Sequence, residues 1–232
     1  MSVVVVIPSG GAGKRFGGAI PKQYQELGDR PVITRTMSLF EEIAEVEELV
    51  IACAPEWREF LLAQKEKFLL KKPLSFAEAG RERQYSVYNA LQISCARNAN
   101  IILIHDAVRP FTAPALVQRI IAAAGEHGAA IPVRALTDTV KEIDSEDFVT
   151  TTHARGMLRS VQTPQGFQRP IIMHAYENAA RENFFGTDDS SLVEFAGYKV
   201  KTVAGEDMNI KITTPLDRKI AAVILNESGA SA

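Results

Sequence analysis

The first half of the chain alternates short, unbroken apolar runs with longer stretches whose apolar residues recur at helical spacing. Val3-Val4-Val5-Val6-Ile7 is uninterrupted by polar positions, the pattern of a strand buried on both faces. A helical stretch opens at Pro31, the first-turn position that proline favours, and runs to about residue 44. Residues 48–53 predict a second strand, and Pro55 starts a helix through about residue 67, with Trp57, Phe60, Leu61 and Phe68 near helical spacing. A short strand at 74–77, a helix at 82–95, a buried strand at 100–104, a helix at about 113–126 and a strand at 129–133 complete the series.

Strands alternating with helices of this length imply βαβ units and right-handed crossovers. The expected fold is therefore α/β and Rossmann-like: a mainly parallel, twisted sheet with helices on both faces. The rhythm breaks at 134–162. Residues 139–143 and 148–152 flank the acidic turn Asp144-Ser145-Glu146-Asp147, a hairpin signal with no helix to cover it, so a protruding β-arm is expected at about 134–156. Helices follow at 170–183 and about 188–195, then a strand at 198–203 and a last helix at 215–225. With no internal repeat and no linker, residues 1–232 read as one domain carrying an arm.

Composition narrows the class. Of 232 residues, 46% are hydrophobic and 23% charged, enough for a large core in an ordinary globule. A formal net charge of -2 gives no basic field for nucleic acid. Cys53 and Cys95 lack metal or redox spacing and sit in apolar contexts, as core thiols of a reducing compartment do. No apolar run approaches the ~18 residues needed to cross a bilayer, and no signal-cleavage pattern precedes the first strand, so a cytoplasmic location is expected. The tail from Glu227 to Ala232 reads as frayed.

Candidate chemistry begins after the first strand. Pro8-Ser9-Gly10-Gly11-Ala12-Gly13-Lys14-Arg15-Phe16 brings backbone N–H groups to a sheet's carboxyl edge, with Lys14, Arg15 and Lys22 in or just beyond the loop. Amides and cations there suit a polyphosphate; the plainer reading is a tight turn. The NTPase phosphate loop fails because Arg15 stands where Ser or Thr should hold magnesium. The dinucleotide fingerprint fails because Phe16 takes the third glycine position. What remains is similar to the entry loop of nucleotidyltransferases that activate sugar or alditol phosphates.

A second segment, Ile101 to Pro110, ends a buried strand in Asp106 and places Arg109 three residues on. Asp106 either caps the next helix with Arg109 paired to it, or lies beside the first loop as a magnesium ligand. His105, without a second ligand or triad partner, reads as structural. Gly80 leads through Arg81-Glu82-Arg83 to Ser86, a loop-to-helix junction that can hold a base or ribose, or simply a solvated helix start. Lys211 sits in an alternating strand pattern before Pro215.

Taken in order, PSGGAGKRF, PKQY, AGRERQYSV, HDAVRPF, TDTVKE, HARGMLRSVQTPQGF, TDDSS and NIKITTP resemble the 2-C-methyl-D-erythritol 4-phosphate cytidylyltransferases over about residues 3–225. The resemblance implies attack of the substrate's phosphate on the α-phosphorus of CTP, with Mg²⁺, in isoprenoid precursor synthesis. It implies that Pro8, Ser9, Gly10, Gly11, Ala12 and Gly13 wrap the triphosphate and that Arg15 and Lys22 stabilise the five-coordinate phosphorus. Gly80 and Ser86 would hold cytidine, and Asp106 ribose and metal. Ala107, Arg109, Thr139, Arg155, Thr187 and Lys211 would meet 2-C-methyl-D-erythritol 4-phosphate. Thr139 and Arg155 would come from a partner's arm, which implies a homodimer with exchanged arms and shared sites.

Two departures stand out. Ser9-Gly10 replaces a common alanine pair, and Arg81 stands where an acid often follows the glycine. A sister enzyme acting on ribitol 5-phosphate is the nearest rival, although Ser86-Val87 and the HARGMLRSVQTPQ segment favour methylerythritol phosphate. A noncatalytic nucleotide sensor should have lost Arg15, Lys22 or Asp106, and all are present.

Overall fold

The computed structural model describes residues 1–11 and 20–227, the side chains of Ser94 and Cys95 excepted. Ala12, Gly13, Lys14 and Arg15 of the entry loop, and the tail beyond Glu227, lie outside the described residues.

Strand β1 (Val3–Pro8) leads to a small hairpin of β2 (Glu26–Leu27) and β3 (Arg30–Pro31), then helix α1 (Val32–Ser38). Next come β4 (Val46–Cys53), α2 (Arg58–Lys67), β5 (Leu74–Glu78), α3 (Arg83–Leu91), α4 (Ser94–Asn98) and β6 (Ile101–Ile104). Helix α5 (Pro114–His127) returns the chain to β7 (Ala129–Ala135), from which the arm strands β8 (Lys141–Ile143) and β9 (Val149–Thr152) project. The chain closes with β10 (Arg159–Val161), β11 (Gln165–Gln168), α6 (Arg169–Arg181), α7 (Asp189–Phe195), β12 (Lys201–Ala204) and α8 (Pro215–Glu227).

In the main sheet β5, β4, β1 and β6 lie side by side and parallel. β11 follows, antiparallel to both β6 and β7. β7 also pairs with β10 and, in parallel, with β12. The period of two in β1 builds the core on both sides. Val3, Val5 and Ile7 pack with Leu49, Ile51 and Leu103 on the face covered by α1, α2 and α5. Val4 and Val6 pack with Val50, Ile102 and Ile104 on the face covered by α3, α6 and α7. The expected mainly parallel α/β sheet is the observed one.

Several boundaries differ from expectation. Helix α1 stops at Ser38, not near 44, because Phe40 and Ile43 bond three residues back, to Met37 and Phe40, in tightened turns. Both side chains are still fully buried, so the apolar periodicity outlasts the helix. The expected helix at 82–95 is two helices, separated where Gln92 and Ile93 likewise bond three residues back. β10 and β11 carry no strand signal. They are three and four residues long, polar or glycine-bearing, and they exist because β7 and β6 offer open edges. Residues 209–213 form no strand: Ile212 makes one backbone bond to Val108, and the alternation there only points Ile212 inward and Lys211 outward.

β8 and β9 pair antiparallel as the hairpin that the strand signals imply. Asp144 pins its turn by accepting the N–H groups of Glu146 and Phe148 at 2.9 and 3.0 Å. Every residue from Lys141 to Thr152 is exposed, including Ile143, Phe148 and Val149. Cys53 is buried in the core, as expected.

Candidate active site

The carboxyl ends of β1, β5 and β6 open onto a cavity of about 470 Å³. This is the edge where open α/β sheets bind ligands. Pro8, Ser9, Gly10 and Gly11 line it next to Gly80 and Ser86, with Asp106 and Ala107 at the floor. Lys22 enters from the turn after the entry loop and Lys211 from the segment before α8.

Two glycines make the walls possible. A Cβ on Gly10 would sit 2.3 Å from Cβ of Ala79, so glycine lets the loop after β1 pass against the segment that follows β5. A Cβ on Gly80 would sit 2.3 Å from Cβ of Tyr85, at the first turn of α3. Ser86 joins these pieces: its hydroxyl accepts the N–H of Gly80 at 3.0 Å and donates to the carbonyl of Glu82 at 3.3 Å. The hydroxyl therefore shapes the loop.

Asp106 is the electrostatic centre. Its Oδ2 lies 3.1 Å from Nε of Arg109 and 3.1 Å from Nζ of Lys211, and its Oδ1 lies 3.4 Å from Nε of Arg83. Burial alone would raise its pKa, but Arg83, Lys211 and Arg109 outweigh burial and hold the carboxyl well below the usual range. Arg83 also reaches Asp189 at 2.7 Å, and Tyr176 donates to the other oxygen of Asp189 at 2.6 Å. A chain of paired charge thus runs from the cavity floor to the first turn of α7. Asp106 caps no helix; α5 begins only at Pro114. The expected pairing with Arg109 is nevertheless present.

His105 is structural, as expected. Nε2 lies 3.1 Å from the carbonyl of Arg109, which can only accept, so Nε2 carries the proton. Nδ1 then accepts from the Thr163 hydroxyl at 3.0 Å, and that oxygen accepts the N–H of Asp106 at 3.0 Å. Burial pushes the imidazole pKa down to about 4, so the ring is neutral and braces the turn carrying Asp106.

Other expected residues stand apart from the cavity. Arg109 lies behind its floor, with Nε on Asp106 and Nη1 donating to the carbonyl of Asn209 at 2.8 Å. Within one chain it braces Asp106 and does not line the cavity. Thr187 is exposed and borders a smaller neighbouring cleft beside Arg83 and Gly186. Thr139 and Arg155 are exposed on the arm, and Arg155 donates to the carbonyl of Thr137. Residues that line the cavity without a sequence signal of their own include Arg83, Thr213 and Gln23. Arg83 looks like any basic residue in a helix's first turn, and only the fold shows that Asp106 and Asp189 converge on it.

Among the described residues no three acids, histidines or cysteines cluster as a metal cage, and no helix is long and apolar enough to cross a membrane. The donor set at the cavity is a carboxylate floor, backbone groups and cations, which suits a polyphosphate that brings most of a cation's oxygen ligands itself.

Comparison with known proteins agrees with that chemistry. The family model described as 2-C-methyl-D-erythritol 4-phosphate cytidylyltransferase matches residues 3–227. The chain is 40% identical over 225 residues to the protein of that name from Geobacillus thermodenitrificans, covering 97% of each. It is 40% identical to that of Syntrophotalea carbinolica, covering 99% of this chain and 98% of the relative. Among solved structures, 4-diphosphocytidyl-2C-methyl-D-erythritol synthase from Anaerococcus prevotii superposes with a TM-score of 0.84 at 30% identity, over 97% of this chain and 98% of that one. The enzyme from Thermus thermophilus gives 0.75 at 31% identity, over 97% and 100%.

Proposed function

The chain belongs to the 2-C-methyl-D-erythritol 4-phosphate cytidylyltransferase family, and from that premise we infer how its cavity works. The protein transfers a cytidylyl group from CTP to 2-C-methyl-D-erythritol 4-phosphate, releasing pyrophosphate, in isoprenoid precursor synthesis. The observation that carries the residue assignment is the convergence of glycine-loop backbone, Lys22, Asp106 and Lys211 on one cavity from four separate segments.

The acceptor phosphate is already a nucleophile near neutral pH, so the site needs no histidine or cysteine triad. One of its oxygens bonds to the α-phosphorus of CTP while the bond from that phosphorus to the bridging oxygen breaks, and the electron pair leaves on pyrophosphate. The barrier is the approach of two polyanions. Amides of the glycine-rich loop and Lys22 offset it by facing the charge that builds on the α-phosphoryl oxygens, and Arg15 is assigned to the same charge. Lys211, entering from the segment before α8, receives the acceptor phosphate. Gly80 and the Ser86 turn form the cytidine side, and Arg109 supports Asp106 from behind.

Mg²⁺ fits this donor set once the Lys211 ammonium, which shares Oδ2 of Asp106 with Arg109, swings aside to the acceptor phosphate. Magnesium is commonly held by one or two carboxylates plus substrate phosphates, and Asp106 is an ionised carboxylate on the cavity floor. Asp106 would hold the ion, which would neutralise phosphate charge when bound.

Thr139 and Arg155 act in the neighbour's site: both are exposed on an arm with uncovered apolar residues, as an exchanged arm of a homodimer would be. On this reading 1–232 is a single domain with a dimerisation arm at about 134–156, working in the cytoplasm.

The discriminating experiment is pyrophosphate release from CTP with either 2-C-methyl-D-erythritol 4-phosphate or ribitol 5-phosphate as acceptor. Release with the first and little with the second is expected. Preference for ribitol 5-phosphate, or no release with either, would overturn the assignment of acceptor or of catalysis respectively.

A further inference from the structure

The turn after the entry loop does more than present Lys22. Lys22–Tyr24 forms a single 3-10 turn, and the residue after the lysine, Gln23, is 3% exposed. Its side-chain amide donates to the carbonyl of Ser9 at 2.8 Å and to the carbonyl of Gly11 at 3.0 Å. Both partners can only accept, so the nitrogen of the amide must face them. Tyr24 makes a second tie, because its hydroxyl oxygen accepts from the Ser9 hydroxyl at 2.9 Å. The Tyr24 ring in turn stacks on Trp57 at 3.9 Å, with Phe60 edge-on, which anchors the turn in the core.

The geometry has a consequence for the phosphate-binding backbone. A trans peptide sends its N–H opposite to its C=O, so holding the Ser9 carbonyl toward Gln23 commits the N–H of Gly10 to the other direction. One buried side chain therefore orients loop peptides and, because Lys22 is its immediate backbone neighbour, fixes their distance from that lysine. We propose that Gln23 is a positioning residue for cytidylyl transfer, holding the start of the glycine-rich loop in register with Lys22. The proposal rests on the reading that this loop and Lys22 face the triphosphate of CTP.

The test uses Gln23→Met, which keeps length and removes both donors, alone and combined with Lys22→Met. Misplacement of a reacting group by about 1 Å can cost ~10²-fold, so a loss of roughly 30-fold or more in kcat is expected. Calorimetry with CTP alone should show binding weakened by about 5-fold or more, whichever acceptor the enzyme uses. In the double variant the added loss over Lys22→Met should be small, under about 3-fold, since coupled residues are not additive. Parent-like kcat, or full additivity with Lys22→Met, would overturn the proposal. Gln23→Glu provides a second readout should Gln23→Met fail to fold. Its protonated carboxyl can donate to one carbonyl, so its kcat relative to the parent should rise from about pH 8 to about pH 6. A flat ratio would count against positioning. If the parent itself turns over neither acceptor, the functional reading falls, while weaker CTP binding by Gln23→Met still supports the clamp and unchanged binding rejects it.

Discussion

Nζ of Lys211 lies 3.1 Å from Oδ2 of Asp106, an oxygen that also accepts from Arg109. The turn after β6 is thereby coupled to the segment that precedes the last helix. Asp106 holds these cations only as a carboxylate. Asp106→Asn should raise the Mg²⁺ concentration for half-maximal activity while circular dichroism stays native-like. A magnesium titration that overlays the parent's would reduce the acid to a brace for Lys211 and the two arginines.

Lys22 and Arg15 are assigned to charge that is greatest in the transition state. Lys22→Met or Arg15→Met should each lower kcat by roughly 10²-fold or more, with a smaller change in CTP affinity. Steady-state kinetics showing an intact kcat and only a raised KM for CTP would remove that role.

Arg155 and Lys22 test the shared site together. Arg155→Ala spoils a donated arm and Lys22→Met a receiving loop, so each homodimer should be nearly inactive. In a mixed dimer both lesions fall in one site and the other is whole, so up to about half the parent activity per heterodimer should return. No recovery after confirmed subunit exchange would mean that each site is built from one chain.

Arg83 is the link between Asp106 and the fully buried Asp189. Arg83→Met would leave both carboxylates short of a cation; because the arginine is itself one-third exposed, the cost is about 2 kcal/mol, below that of breaking a fully buried pair. For a chain of this size that corresponds to a fall of roughly 4–8 °C in Tm. A calorimetric Tm within about 2 °C of the parent's would show that solvent at the cavity replaces the arginine.

His105 sets a pH dependence of stability. Its folded-state pKa of about 4 lies below the ordinary histidine value, so between those limits the unfolded chain binds a proton that the native state does not. Stability should therefore be full above about pH 6.5 and decline by roughly 1.4 kcal/mol per pH unit toward pH 4. Measured as Tm against pH, the decline should be shallower in His105→Gln, which cannot take up that proton. Parallel profiles for the two proteins would assign the acid sensitivity to other groups.

Much of the candidate site was legible because its parts are local. A glycine-rich turn after a buried strand, an acid ending another strand and a proline-started turn bearing Lys22 are each written in a few consecutive residues. Gln23 was visible only as a letter in PKQY; its two acceptors become apparent once β1 and the turn are packed together. Arg83 was hidden for a similar reason, since its partners lie in segments distant in sequence.

By itself the sequence determined the parallel α/β rhythm, the hairpin at 141–152 and the family to which the ordered motifs belong. Continuous apolar runs bury strands on both faces, and the hairpin's turn is set locally by the Asp144 carboxylate. Only the tertiary structure decided which short polar segments became β10 and β11, because those strands depend on open edges of β7 and β6 and not on their own composition. It also decided that Arg109 stands behind the cavity while Lys211 lines it, although both meet Asp106. Charge can be read from a residue's type; the direction from which that charge reaches a carboxylate depends on which backbones pack around it.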